Sequence, residues 1–173
     1  AMTLIYISLT ILCAFSYFFA GMNLSDAIFH AMTTVATGGF STKDASLGHF
    51  NSVTIDTICI IFMIAGSLPF LLWIQVLRGQ IRPMLTDQQV RAFFAILLMF
   101  ILIIWIYETW RGVHFGLDGL RYAAFNVISV MTGTGYANDD YGAWGPVAVS
   151  VFFFLMFVGG CAGSTSCGSK IFR

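Results

Sequence analysis

Two short segments constrain this chain most: Thr34-Val35-Ala36-Thr37-Gly38-Gly39-Phe40 and Val130-Met131-Thr132-Gly133-Thr134-Gly135-Tyr136. Each follows an apolar stretch too short to cross a bilayer and precedes a polar loop and a further apolar run. Bare backbone is tolerated at membrane depth only where it is buried in protein or lines a water-filled cavity. A repeated Thr-Gly element in that setting suits an ion-selectivity filter, because its carbonyl oxygens can replace the hydration shell of a cation. The pattern predicts a cation pore.

Composition agrees with a membrane setting. Hydrophobic residues make up 58% and charged residues 9%, against roughly 25% charged in a soluble domain, and mean hydropathy is +0.87. The chain reads as an all-α integral membrane protein. Its formal net charge is zero, so no nucleic-acid partner is expected and membrane lipid is the expected surrounding. Cys13, Cys59, Cys161 and Cys167 fall in apolar or Gly/Ser-rich stretches and read as buried small hydrophobes rather than disulfides or metal ligands.

The chain divides into spans and punctuation. Residues 3–20 form a first span without the basic flank of a cleavable signal peptide. Asn23-Leu24-Ser25-Asp26 supplies Ser/Asp capping residues for a half-helix reaching about Thr34, too short for a ~30 Å hydrocarbon core. Residues 53–77 form a long span whose Gly66-Ser67-Leu68-Pro69 should kink or break it, since proline removes a helix hydrogen bond. Residues 78–91 are a hydrophilic connector, residues 91–109 another span, and Gly116-Leu117-Asp118-Gly119 opens a second half-helix ending near Val130. An apolar stretch over 146–158 leads into Gly159-Gly160-Cys161-Ala162-Gly163-Ser164-Thr165-Ser166-Cys167-Gly168, and the last residues, through Arg173, fall where a broken helix would resume. The order span, half-helix, filter, span occurs twice, as two pore repeats over 1–77 and 92–173. Setting Gly38 over Gly133 gives an internal offset of 95.

Basic residues near span ends orient the chain. With the 78–91 connector inside, Arg78, Arg82, Arg91, Lys170 and Arg173 are cytoplasmic and Lys43, Arg111 and Arg121 outside. Both filters then face outward. Asp26, Asp44, Asp56, Glu108, Asp118, Asp139 and Asp140 lie near the outer side, an acidic vestibule that would concentrate cations. His30 reads as a packed, hydrogen-bonded core histidine, and Arg121 as one member of an ion pair with Asp118, Asp139 or Asp140. Trp73, Trp105, Tyr107, Trp110 and Trp144 read as interfacial anchors.

The segment Thr33-Thr34-Val35-Ala36-Thr37-Gly38-Gly39-Phe40-Ser41-Thr42 and the 159–168 run followed by Lys170 resemble the Trk/Ktr/HKT superfamily of potassium transporters, and within it bacterial TrkH. The resemblance covers essentially the whole chain and corresponds to the second and most of the third of four repeats, which surround one pore in a potassium-channel-like arrangement. It implies that Gly38 and Gly133 stand for filter glycines, and that potassium is bound by carbonyls around Val35, Ala36, Thr37, Gly38 and Gly39 and around Val130, Met131, Thr132, Gly133 and Thr134. It also implies that the loop carrying Gly159, Gly160, Gly163, Ser164, Thr165, Ser166 and Gly168 is an intramembrane gate. Independently of the resemblance, a run rich in Gly, Ser and Thr cannot hold a lipid-facing helix but can fold inside a polar cavity; close packing of small helix faces is the alternative.

The function expected is potassium uptake across a bacterial inner membrane, with the ion as cargo, no organic cofactor and no covalent chemistry. The resemblance further implies a homodimer and a cytosolic nucleotide-binding regulatory subunit. The alternatives are an ion-coupled secondary transporter with a midplane site and a non-conducting assembly subunit. The first would place acids within the spans rather than at their outer ends, and the second leaves the duplicated Thr-Gly element unexplained.

Overall fold

The computed structural model describes residues 2–170. Residues 171–173, where the sequence suggests a resuming helix and a cytoplasmic arginine, lie outside the described residues. Regular structure among the described residues is helical, apart from an isolated bridge between Val158 and Ser169.

Helix α1 (Met2–Phe19) has 18 residues, about 27 Å at 1.5 Å per residue. Its end is fixed by Gly21 at φ +103°, with Gly21 N–H donating to the Phe18 carbonyl and Met22 N–H to that of Tyr17, a pairing that satisfies carbonyls orphaned at a helix C-terminus. Helix α2 (Leu24–Val35) then turns back. Asn23 caps it, accepting from Asp26 N–H at 2.8 Å while its amide donates to the Asp26 carboxylate at 2.9 Å. One face of α2, carrying Ala27, His30, Ala31, Thr34 and Val35, is buried.

Helix α3 (Val53–Ser67) and helix α4 (Phe70–Leu77) are the two halves of the long span. They are bent by 101°, so the expected kink is a full break. It falls at Leu68 and Pro69, both extended, as proline and the residue before it require. Helix α5 (Arg82–Thr86) is a short turn inside the connector. Helix α6 (Gln88–Arg111), capped by Asp87, is the second straight span at 24 residues. It ends as α1 does, with Gly112 at φ +74° and Val113 N–H donating to the Glu108 carbonyl.

Helix α7 (Gly116–Thr132) is the second re-entrant element. At 17 residues it runs two residues past the expected end. Helix α8 (Pro146–Leu155) follows a 3-10 turn at Tyr141–Trp144, and the chain then leaves helical geometry.

Helix α1 packs on α2, α6 packs on α7, and α3 lies between α2 and α7. The α2–α3–α7 seam buries Cys59, Met63, Phe125, Ile128 and Met131. Outward faces remain apolar: Leu12, Phe15, Leu98 and Ile106 are all more than half exposed, a surface suited to lipid and not to water. Trp110, 81% exposed, fits an interfacial anchor. Trp144 does not: it is buried and its indole N–H donates to Asp139 at 2.6 Å, because the 3-10 turn folds it inward against Phe152.

Candidate ion-conducting site

Both re-entrant helices end in the same hydrogen-bond skeleton. After α2, Thr37 N–H donates to the Thr34 carbonyl and Gly39 N–H to that of Thr33; after α7, Gly133 N–H donates to Val130 and Gly135 N–H to Ser129. The Thr33 hydroxyl donates to the Phe40 carbonyl at 2.9 Å, and the Ser129 hydroxyl to the Tyr136 carbonyl at 2.6 Å. One turn earlier, His30 bonds the Asp26 carbonyl and Asn126 that of Tyr122. Every pair is separated by 96 residues, not 95. Gly39 therefore corresponds to Gly135, and Gly133 to Thr37.

The corrected register carries the backbone geometry. Thr37 and Gly39 have φ of 50° and 67°, Gly133 and Gly135 of 74° and 83°, and the residue between each pair, Gly38 or Thr134, is not left-handed. Alternation of this kind turns successive peptide units to one side. A β-branched residue such as Thr37 at positive φ is strained. Among the described residues, the carbonyls of Thr37, Gly38, Gly39, Gly133, Thr134 and Gly135 receive no hydrogen bond. Thr37 and Thr134 are buried, Gly39 is half-buried and Gly38, Gly133 and Gly135 are exposed, so the bare acceptors line an open face of the two loops where a ligand supplying positive charge could meet them.

The two loops touch. A Cβ at Gly39 would run into the Thr134 carbonyl. Tyr136 is fully buried, and its hydroxyl reaches across to the first unit, to the His30 carbonyl at 3.2 Å, the Phe40 carbonyl at 3.3 Å and the Thr33 hydroxyl. Val130, Met131 and Thr132 are still helical, and the Val130 carbonyl accepts from Gly133 N–H. Gly135 and Tyr136 stand in the second loop where Gly39 and Phe40 stand in the first, and the repeated Gly-aromatic pair is the sequence signal for that match.

The 159–168 run folds against these loops. The Thr165 hydroxyl lies 3.0 Å from the Val35 carbonyl, Thr37 Oγ1 donates to the Thr165 carbonyl at 2.9 Å, and Cys167 sits where a Cβ on Gly133 would fall. Gly160 N–H donates to Ser166 Oγ at 2.8 Å and Ser164 Oγ to the Cys161 carbonyl at 2.6 Å. Gly163 and Gly168 are left-handed, and Gly159 packs tightly on Cys167 and Gly168. Lys170 reaches the Ser166 carbonyl. Cys13, Cys59 and Cys161 are buried free thiols, whereas Cys167 is exposed.

Polar groups at the mouth are more committed than an open acidic vestibule would be. Asp26, Asp56 and Glu108 are buried. Asp26 accepts from Thr42 at 2.6 Å and pairs with Lys43 at 3.3 Å; the Thr42 hydroxyl, with Lys43 beside it, holds its carboxyl below the usual range. His30 is fully buried, bonded to the Asp26 carbonyl at 2.7 Å and to Ser41 at 2.9 Å. Arg121 pairs chiefly with Asp56 on α3 at 3.6 Å and more distantly with Asp118 at 3.9 Å; Asp139 is engaged elsewhere, by Trp144 and by His114 at 3.7 Å. Asp56 also accepts from Asn138 at 2.9 Å, and Asn138 accepts from Asn126 at 2.8 Å. Among the described residues, no group of three or more His, Cys, Asp or Glu side chains could hold a metal ion.

A family model described as a cation transport protein, TrkH, matches residues 1–113. The chain belongs to the TrkH family. Among relatives of this TrkH-family chain, the Trk system potassium uptake protein TrkI of Halomonas elongata is 47% identical over 170 residues, covering 98% of this chain and 34% of that protein. The Trk system potassium uptake protein TrkH of Escherichia coli is 37% identical over 176 residues, 98% of this chain and 36% of that one. The crystal structure of the potassium transporter TrkH from Vibrio parahaemolyticus superposes with a TM-score of 0.91 at 35% identity, covering 96% of this chain and 36% of that chain. The chain thus spans about a third of the length of the relatives it matches.

Proposed function

We propose that this chain contributes two of the selectivity-filter segments of a potassium uptake protein. Potassium is the cargo, held in passing by carbonyl oxygens from Thr37 to Gly39 and from Gly133 to Gly135, with Val35 at the inner end. The observation that carries this is the set of six unpartnered carbonyls on two touching loops of matching backbone geometry. The relatives, potassium uptake proteins by name, supply the ion. The C-terminal ends of α2 and α7 approach the loops, and their partial negative charge favours a cation there.

In this reading residues 1–77 and 92–173 are pore repeats joined by a cytoplasmic connector over 78–91, both filters face outward across a bacterial inner membrane, and the 159–168 loop obstructs the path below them. The complete protein works as a homodimer with a cytosolic nucleotide-binding subunit. Uptake of labelled rubidium by proteoliposomes holding the full-length protein tests the function. Uptake that competes with potassium and is lost in Gly39→Val supports it; uptake unchanged by that substitution rejects the filter assignment.

A further inference from the structure

We propose that Thr165 is a latch tying the 159–168 loop to the first filter, and that its hydroxyl, rather than the loop's bulk alone, keeps the path closed. This rests on the filter-and-gate reading above.

The break between α3 and α4 receives the loop. Interrupting the helix at Leu68 and Pro69 leaves the Gly66 and Ser67 carbonyls and the Phe70 N–H without helical partners. The loop supplies them: Thr165 N–H donates to Gly66 at 3.1 Å, Cys161 N–H to Ser67 at 3.2 Å, and Phe70 N–H to the Gly163 carbonyl at 3.0 Å. On its far side, Ala162 N–H donates to Gln89 Oε1 at 3.1 Å, at the start of α6. These bonds use the loop's main chain and hold it in its seat whatever its side chains are.

The link from that seat to the filter is different in kind. Both hydrogen bonds between the loop and the first filter involve Thr165, one through its hydroxyl to the Val35 carbonyl and one through its carbonyl from Thr37 Oγ1. The Val35 carbonyl has no other donor among the described residues. The same hydroxyl lies 2.9 Å from the Gly66 carbonyl. One hydroxyl proton thus faces two acceptors, one belonging to the filter and one to the seat. Gly66 must be glycine for this closeness, since a Cβ there would lie 2.8 Å from the Val35 carbonyl and 3.1 Å from Thr165 Oγ1. When the proton turns to Gly66, the Val35 oxygen is free for the ion and only the Thr37 bond still ties the loop to the first filter, so the loop moves away from it more readily.

The test uses the full-length protein with Thr165→Val, which keeps the side-chain shape and the main-chain bonds, and Thr165→Ser, which keeps the hydroxyl. Unregulated rubidium uptake into proteoliposomes is measured alongside the rate at which a charged methanethiosulfonate reagent modifies Cys167, with the protein's other cysteines replaced. Thr165→Val is expected to raise both by between about two- and tenfold, the population shift that one net hydrogen bond carries, with Thr165→Ser close to wild type. A merely structural loss would lower uptake rather than raise it. Thr165→Val at wild-type values in both measurements, lowered uptake in a folded Thr165→Val, or a serine variant that behaves like valine would overturn the latch. If wild type carries no rubidium the transport reading falls, while the Cys167 rates still decide whether Thr165 holds the loop.

Discussion

The two re-entrant loops share a hydrogen-bond skeleton and differ in what surrounds it. The aromatic residue after the second left-handed residue is 77% exposed in the first loop, as Phe40, and fully buried in the second, as Tyr136. Phe40 gives its carbonyl to others; Tyr136 gives its hydroxyl to the first unit and closes the seam between them. The mouth differs in the same direction. The first unit's Asp26 is settled locally by Thr42 and Lys43, whereas Asp56, Arg121 and Asn138 join α3, α7 and the second loop. The backbone of the loop is therefore set by its own helix, and its rigidity by the neighbour it meets.

The largest effect that would sharpen this contrast is expected at Asp56. Asp56→Ala leaves Arg121 with the distant Asp118 and strips Asn138 of an acceptor, a loss of about 3–5 kcal/mol for a buried pair broken from one side. Thermal unfolding of the purified full-length protein reads it, and Asp26→Ala should cost much less. Gly39→Ala comes next, because its Cβ would enter the Thr134 carbonyl. It should destabilise by about 3 kcal/mol and abolish rubidium uptake. Gly135→Ala meets open space and is expected to cost only the left-handed strain, about 1–2 kcal/mol. Equal effects at the two glycines would break the asymmetry.

Tyr136→Phe, losing the cross-unit hydroxyl but keeping the ring, should cost about 1–1.5 kcal/mol and lower the preference for potassium over sodium in flux assays. Phe40→Leu should change neither. The smallest effect is the pH response of Asp26. Its folded carboxyl titrates below the unfolded value of about 3.9, so its contribution is present above that pH and fades as pH falls through the lower folded value. Asp26→Asn should flatten the acid limb of a Tm-against-pH curve, and an unaltered limb would count against the Thr42 and Lys43 contacts.

Local signals carried much of the fold. The capping run at 23–26 marks the start of α2, Pro69 breaks the span, and the apolar runs give α1 and α6, because each depends on residues within a turn or two. What was hidden depends on distant partners. Nothing near Arg121 points to Asp56, sixty-five positions earlier, and nothing near Trp144 shows that the 3-10 turn will bury it. Helix α7 keeps helical geometry through Val130, Met131 and Thr132, residues that an isolated Thr-Gly pattern does not mark as helix. Matching glycine to glycine gave a register one residue short, whereas the Thr33–Phe40 and Ser129–Tyr136 bonds fix it. The Gly/Ser/Thr run over 159–168 was legible as an irregular segment, but its seat on the α3–α4 break exists only in three dimensions.

The most direct measurement is a structure of the full-length protein in rubidium or thallium, with the ions located by anomalous scattering. Ion density in contact with the carbonyls of Thr37 to Gly39 on one side and Gly133 to Gly135 on the other is the expected result. Ions found along another path, with these oxygens dry or facing lipid, would contradict it.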